Sequence, residues 1–456
     1  MVAERQRVKE QDKIERRSNF EAVESNLTPE QVKLEASRCL HCKNPRCVQG
    51  CPVNIQIPDF IEALKNDELD KAGDIIRQTS MLPSVCGRVC PQERQCEGNC
   101  VLGIKGESVA IGALERYVGD NTKASETEII PSGKKVAVVG SGCAGITAAA
   151  DLRKAGHEVV VFEALHKLGG VLRYGIPPFR LPRTFLDREI DNLKKMGVEF
   201  KTNVIVGKSI TLKQLKEDGF DAIFICSGAG LPKMMHIKGE NLNGVYSANE
   251  FLTRVNLMGA GRQDSPTPLR IGKKAAIIGG GNVAMDAART AVRVGFEEVS
   301  IMYRRTEKEL PARLEEIRHA KEEGIIFKFL HAPVEILEKD GYVDGMKFEK
   351  MELGEPDDSG RRRPVGTGEF VVEDVDTVIV ALGTDPNPII QRSAQYDGLE
   401  IVTEKGYITV DGETRATNIP CVYAGGDVAP VGESNAINAM GASKKAAKAI
   451  NEMLTK

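Results

Sequence analysis

The chain has 456 residues, 41% hydrophobic and 28% charged, an ordinary composition for a globular protein long enough to build two or three domains. A formal net charge of −3 gives no electrostatic reason to expect nucleic acid or an anionic membrane as partner. There is no apolar run long enough to cross a bilayer, and the opening MVAERQRVKEQDKIERRSNF lacks the apolar core of a secretion signal, so the expected location is the cytoplasm, where thiols stay reduced.

The opening reads as a charged helical segment. It leads into a region, residues 1–125, that holds eight of the 11 cysteines. They fall in two runs, CLHCKNPRCVQGCP from Cys39 and CGRVCPQERQCEGNC from Cys86. The spacings are C-x2-C-x4-C-x3-C-P and C-x3-C-P-x4-C-x3-C. In a reducing compartment metal is a better use for them than disulfides. Zinc is the rival reading, because C-x2-C pairs are typical of zinc sites. The Cys-Pro endings and stacked triplets look more like cubane iron–sulfur ligation, in which the last cysteine of a run serves the other cluster. Between the runs, Phe60, Ile61, Leu64, Leu69, Ala72, Ile75 and Ile76 recur at helical spacing, which predicts helices packed around whatever the cysteines hold. His41 and His157 have no partners at ligand spacing and read as surface or packing residues.

After a polar connector, KKVAVVGSGCAGITAAADLRKAGHEVVVFEA reads as strand, glycine turn, helix and strand. Gly140, Gly142 and Gly145 form G-x-G-x-x-G: the first permits the tight turn, the second lets a pyrophosphate approach, and the third lets helix and strand pack closely. Glu163 ends the second strand, where a carboxylate bonds a ribose diol. A second unit, KKAAIIGGGNVAMDAARTAVRVGFEEVSIMYRR, repeats the plan with Gly279, Gly281 and Ala284. Its matching strand ends in Tyr303, Arg304 and Arg305 instead of an acid. Guanidinium groups bind a 2′-phosphate that a carboxylate would repel, so the first unit suits FAD and the second NADPH. LPARLEEIRHAKEEG is predicted to be helical, with several strand-like runs after it. FICSGAG (224–230), VIVALGTDPN (378–387) and CVYAGGD are further strand ends, and AINAMGASKKAAKAINEML is a final helix. Cys143, Cys226 and Cys421 stand alone. The nucleotide units contain no C-x-x-C, which argues against a flavin–disulfide relay.

Together with IGALERY and the block GGVLRYGIPPFRLPR (169–183), these motifs resemble the small chain of NADPH-dependent glutamate synthase over essentially the whole chain. The same module is similar to the N-terminal part of dihydropyrimidine dehydrogenase and to the large subunit of the electron-bifurcating NADH-dependent ferredoxin:NADP oxidoreductase, whose flavour the stretch CKNPRCVQGCPVNIQIP carries. The resemblance implies an α/β architecture: an N-terminal helical iron–sulfur domain (1–125), a discontinuous Rossmann-like FAD domain (134–240 and 375–456) and a Rossmann-like NADPH domain (241–374). It implies two [4Fe–4S] clusters, one on Cys39, Cys42, Cys47 and Cys100 and the other on Cys51, Cys90, Cys96 and Glu115, with Cys86 a spare. By spacing alone Glu115 reads as a surface residue of an amphipathic helix. Asp427 takes the position that bonds the ribityl chain of the flavin. Electrons are expected to pass from NADPH through FAD and the clusters to a partner subunit: a glutamate synthase large chain, or a smaller NADH-linked flavoprotein with ferredoxin. A non-enzymatic iron–sulfur scaffold is the alternative from another class, against which the intact glycines, Glu163 and the arginine pair speak.

Overall fold

The computed structural model describes residues 4–125, 128–358 and 360–456. Its N-terminal region is a cluster of short helices: α1 (Pro29–Ala36), α2 (Ile57–Lys65), α3 (Leu69–Arg77), α4 (Pro83–Val89) and α5 (Ile111–Asn121). Thr28 and Gln31 close a reciprocal capping box at the start of α1. The helices expected between the two cysteine runs are α2 and α3, and Phe60, Ile61, Leu64, Ala72 and Ile76 are buried as their spacing predicts.

The opening segment is not the expected helix. Only Glu15–Ser18 makes a 3-10 turn. Its charges serve distant partners instead of neighbours one helical turn away: Arg5 pairs with Glu97, Arg7 with Glu107 and Arg16 with Glu323. Gln11 also donates its backbone N–H to the carbonyl of Val23. Those bonds hold the segment extended.

Two parallel sheets follow. The first has the order β13–β4–β1–β2–β3, from β1 (Lys135–Val139), β2 (Glu158–Phe162), β3 (Glu199–Lys201), β4 (Ala222–Ile225) and the late strand β13 (Val422–Ala424). The second has the order β5–β12–β6–β7–β8, from β5 (Val245–Ser247), β6 (Lys274–Ile278), β7 (Glu298–Tyr303), β8 (Ile326–Phe329) and β12 (Thr377–Val380). Helices α6 (Cys143–Lys154) and α8 (Asn282–Val294) are the crossovers after β1 and β6; α7 (Arg183–Lys195), α9 (Leu314–Glu322) and α10 (Ala436–Leu454) complete the layers. Strands such as KVAVV and KAAII are apolar throughout because parallel sheets are covered on both faces. Between β8 and β12 lies an antiparallel sheet of β9 (His331–Lys339), β10 (Tyr342–Pro356) and β11 (Arg362–Glu373).

The expected boundary at residue 375 needs correction. Strand β12 pairs in parallel with β6, register Val378 to Ala276, so it is part of the second sheet. The chain returns to the first unit only beyond it. There, Thr384–Asp385 pairs antiparallel with Leu231–Pro232, so the outgoing and returning crossings lie side by side. One continuous core joins the helical region to the first unit: Val53, Phe60 and Leu114 pack in the same cluster as Val136, Ile146, Met440 and Ala446. The second unit has a core of its own around Phe251, Met285 and Ile301. No helix among the described residues is long and apolar enough to cross a membrane.

What fastens the second unit to the rest is a buried ion network. Glu323 is fully buried and accepts from Arg16 Nε (3.0 Å), Arg289 Nη2 (2.9 Å) and Arg293 Nη1 (2.6 Å). Nearby, Arg180 reaches across from the first unit to Asp286 and Glu316, both at 2.8 Å. Burial by itself raises the pKa of Glu323, but the hydrogen bonds from Arg293 and the charge of Arg289 hold it at about 2. Removing one partner leaves uncompensated buried charge, so Glu323→Ala is expected to cost about 3–5 kcal/mol by calorimetric unfolding. Because the folded pKa lies below the unfolded value near 4.5, this contribution is complete above that pH and is lost as pH falls toward 2.

Candidate functional site

In the first unit, each glycine of the loop has a distinct steric reason. Gly140 has φ +117°, and a Cβ there would lie 2.6 Å from the carbonyl oxygen of Cys226. At Gly145 it would lie 1.9 Å from the Gly140 carbonyl oxygen, whereas at Gly142 it would meet nothing within 4 Å. That open side is where a pyrophosphate can approach. Helix α6 starts at this point with no side-chain cap, so its first N–H groups remain available to an anion. Glu163 sits at the end of β2, accepting from Ser141 N (3.0 Å), Ser141 Oγ (2.5 Å) and Leu165 N (2.9 Å), and so braces the loop. Asp427 lies in the short turn Gly426–Val428 after β13. Burial raises its carboxyl above the usual range, against a hydrogen bond with Ser434.

The block 169–183 folds onto this loop. A Cβ at Gly170 would stand 3.0 Å from Gly142 Cα. Tyr174 of the same block is pushed up to about 12 by burial and then by the charges of Glu163 and Asp427. Nothing in the sequence spacing singles out Tyr174, because its neighbours come from β2 and β13.

The second unit repeats the geometry. A Cβ at Gly279 (φ +141°) would meet the Ala381 carbonyl oxygen at 2.4 Å, at Gly281 it meets nothing within 4 Å, and Ala284 is fully buried. Helix α8 also starts without a side-chain cap. The two arginines after β7 part company. Arg304 is exposed, while Arg305 is buried in an ion pair with Asp357 and donates its Nε to the carbonyl oxygen of Arg362 at 2.7 Å.

The cysteines separate into two groups. Cys39, Cys42, Cys47 and Cys100 are half-buried and line one pocket with Leu40, Ile61 and Ile111. Burial pushes the Cys47 thiol up to about 11. Cys51, Cys90 and Cys96 are buried with Glu115; burial raises the Cys51 thiol, aided by the Glu115 charge, and the Cys96 thiol, aided by Glu97 and then Glu115, while Cys90 is raised first by its hydrogen bond with Cys86 and then by burial. Glu115 is buried, pushed up to about 8 by desolvation, and its Oε1 has no hydrogen-bond partner. An orphaned carboxylate among three thiols is the donor set of a metal site, so these residues fit a cluster with one oxygen ligand. Among the described residues, no three of the cysteines gather their sulfurs within 4.8 Å of one another.

Glycines explain why a glutamate on a helix faces inward. A Cβ at Gly87 on α4 would stand 2.5 Å from Arg116 N, and one at Gly119 on α5 would stand 2.5 Å from Ser84 N. The two helices therefore touch backbone to backbone, and Glu115 is pressed toward Cys90. The remaining contacts tie this site to both nucleotide units. On α10, a Cβ at Gly441 would lie 2.8 Å from the Pro52 carbonyl oxygen, one residue beyond Cys51. Its neighbour Met440 touches Cys86, sulfur to sulfur at 3.7 Å. Arg313, ahead of α9, donates to Arg88 O and Gln92 Oε1, both at 2.9 Å, within the second cysteine run. Sequence spacing revealed none of these joints. His157 packs between Ser132 and Asn451, and His41 is exposed.

Comparison with known proteins places this geometry. Residues 16–127 match the family described as dihydropyrimidine dehydrogenase domain II, 4Fe-4S cluster, and residues 102–450 match pyridine nucleotide-disulphide oxidoreductase. The chain is 36% identical over 452 residues to the glutamate synthase [NADPH] small chain of Escherichia coli (strain K12), covering 96% of this chain and 95% of that one. It is 38% identical to the NADP(+)-dependent formate dehydrogenase subunit beta of Moorella thermoacetica, covering 90% of this chain and 60% of the relative. FprA of Mycobacterium tuberculosis in complex with NADPH shares the fold, with a TM-score of 0.56 and 22% identity over 70% of this chain and 85% of that one. The chain therefore belongs to the pyridine nucleotide-disulphide oxidoreductases, in the branch of NAD(P)H-dependent FAD and iron–sulfur enzymes that includes the glutamate synthase small chain.

Proposed function

We propose that the chain is an NADPH-oxidising iron–sulfur flavoprotein of the glutamate synthase small chain type. It carries FAD on the first unit, NADPH on the second and two [4Fe–4S] clusters, and it serves a partner subunit that makes glutamate from glutamine and 2-oxoglutarate. The observation that carries the redox reading is the orphaned Glu115 carboxylate among Cys51, Cys90 and Cys96, packed directly behind the flavin-binding unit. The similarity along 95% of the glutamate synthase small chain supports the choice of partner. When bound, FAD takes up a hydride and releases electrons singly, which the clusters can carry.

The residues of the chain supply binding, order and shielding. The uncapped starts of α6 and α8 bind pyrophosphates at Gly142 and Gly281. Glu163 and Asp427 orient the first cofactor, and Arg304 meets the 2′-phosphate of the second. Gly441 and Met440 set the buried cysteine group against the first unit. The half-buried group at Cys39, Cys42, Cys47 and Cys100 faces the surface, so it is the exit toward a partner. A second reading keeps this wiring and changes the acceptor, to an NADH-linked flavoprotein with ferredoxin. Identity of 38% to a formate dehydrogenase subunit shows how readily the module accompanies other partners.

Anaerobic isolation of the native complex tests the choice. A large amidotransferase partner and glutamine-dependent NADPH oxidation are expected, and a small flavoprotein partner overturns the glutamate synthase assignment. Failure of NADPH to bleach the bound flavin overturns the enzyme reading altogether.

Four variants test the parts. Cys86→Ser is expected to keep its full iron, while Cys90→Ser loses about four irons per chain by metal analysis. Arg304→Ala should weaken NADPH by about tenfold or more and NADH hardly at all, as expected for loss of a charge-assisted contact. Gly441→Val, which must push α10 off Pro52, should leave flavin reduction by NADPH unchanged in stopped flow and slow the delivery of electrons to an artificial acceptor.

A further inference from the structure

Arg305 stands where a 2′-phosphate reader is expected, yet its guanidinium is already engaged. It pairs with Asp357 and donates to the carbonyl of Arg362, 57 residues further along the chain. Both partners belong to the tip of the hairpin formed by β10 and β11, where Pro356 and Arg362 are paired and the turn is closed by Asp357 N to Arg361 O at 2.8 Å. The backbone repeats the attachment. The carbonyl oxygen of Arg305 accepts from Leu330 N at 3.1 Å, and the Leu330 carbonyl oxygen accepts from Met351 N at 2.9 Å. The hairpin is thus fastened to the end of β7 through one buried side chain and a short backbone ladder.

The tip brings its own charge to that edge. Arg362 is exposed, and its Nε and Nη2 are anchored on the carbonyl oxygens of Gly354 and Leu353, which leaves Nη1 without a partner among the described residues. Its guanidinium lies near Glu309, the acid of the turn that follows Arg304 and Arg305. Glu309 is itself held by Thr306, accepting from Thr306 N at 3.1 Å and from the Thr306 hydroxyl. Arg363, also exposed, comes next. An exposed arginine after β7 and an anchored one from the hairpin are therefore brought to one edge of the second nucleotide unit by the Arg305 contact with the Arg362 carbonyl. Two guanidinium groups from separate elements can grip a dianion that a single strand end could hold only weakly.

We propose that the hairpin tip at Asp357 and Arg362 is a wall of the 2′-phosphate pocket: Arg304 and Arg362 contact the phosphate, and Arg305 with Asp357 is the positioning pair that holds the tip in place. This rests on the NADPH assignment made above and gives it a specificity element that local sequence does not contain. It also assigns Asp357 a role opposite to its charge. An acid close to a phosphate site lowers phosphate affinity by repulsion, so its removal should help binding unless its contact with Arg305 is what builds the pocket.

Calorimetric titration of the holoenzyme with 2′,5′-ADP and with 5′-AMP tests this without turnover. The wild type is expected to favour 2′,5′-ADP. Asp357→Asn and Arg362→Ala should each weaken 2′,5′-ADP about fivefold or more while leaving 5′-AMP within about twofold, the pattern for lost charge-assisted contacts to the phosphate alone. A general loss of structure would weaken both ligands and overturn the assignment. Unchanged or tighter 2′,5′-ADP binding by Asp357→Asn, with wild-type preference intact, overturns the hairpin's role and leaves the NADPH reading standing. Equal affinity of the wild type for the two ligands removes the NADPH reading, and the proposal falls with it.

Discussion

Gly441 has no side chain, and the carbonyl of Pro52 stands close to where one would be. That contact, with Met440 against Cys86 beside it, is the point at which the last helix of the first nucleotide unit meets the loop carrying Cys51. Redox function depends on such closeness, because single electrons cross protein only over short gaps. The shared hydrophobic core makes the contact permanent: Val53 and Leu114 of the helical region pack in one cluster with Val136 and Met440. Cysteine region and first unit therefore form one body. The second unit, with its own core, is joined by ions and by the paired crossings at Leu231–Pro232 and Thr384–Asp385.

The division of bonding types follows from what each joint must do. Apolar packing is undirected and tolerates no gap, which suits a fixed electron path. The joint to the second unit consists of Arg16, Arg180, Arg289 and Arg293 with Asp286, Glu316 and Glu323, all directional contacts whose desolvation is repaid only in one arrangement. It fixes the orientation of the two nucleotide loops toward each other. Arg313 extends the same joint to the second cysteine run.

How much of this was legible in the sequence depended on how local each cause is. The glycine loops and their strands could be read directly, since Gly140, Gly145 and Gly279 answer to contacts within a single βαβ unit and its neighbouring strand. The helices between the cysteine runs followed from Phe60, Ile61 and Leu64. Where the cause lay far away, reading failed. The opening reads as a charged helical segment, but its arginines pair with Glu97, Glu107 and Glu323 far along the chain. Strand β12 was placed in the wrong unit because VIVALG carries no sign of which sheet it joins. Glu115 was placed among the ligands by resemblance; its spacing gave a surface residue. Only the backbone contact through Gly87 and Gly119 shows why it turns inward. Arg305 was taken for a phosphate contact because Asp357 lies 52 residues later and no pattern links them.

The account stands on the two cysteine groups being iron–sulfur sites joined to a flavin unit. Analysis of iron, acid-labile sulfide and zinc per flavin in the anaerobically purified chain tests that most directly. The account predicts about eight irons and about eight sulfides per FAD, with zinc absent at stoichiometric level. Stoichiometric zinc, or iron for one cluster alone, contradicts it.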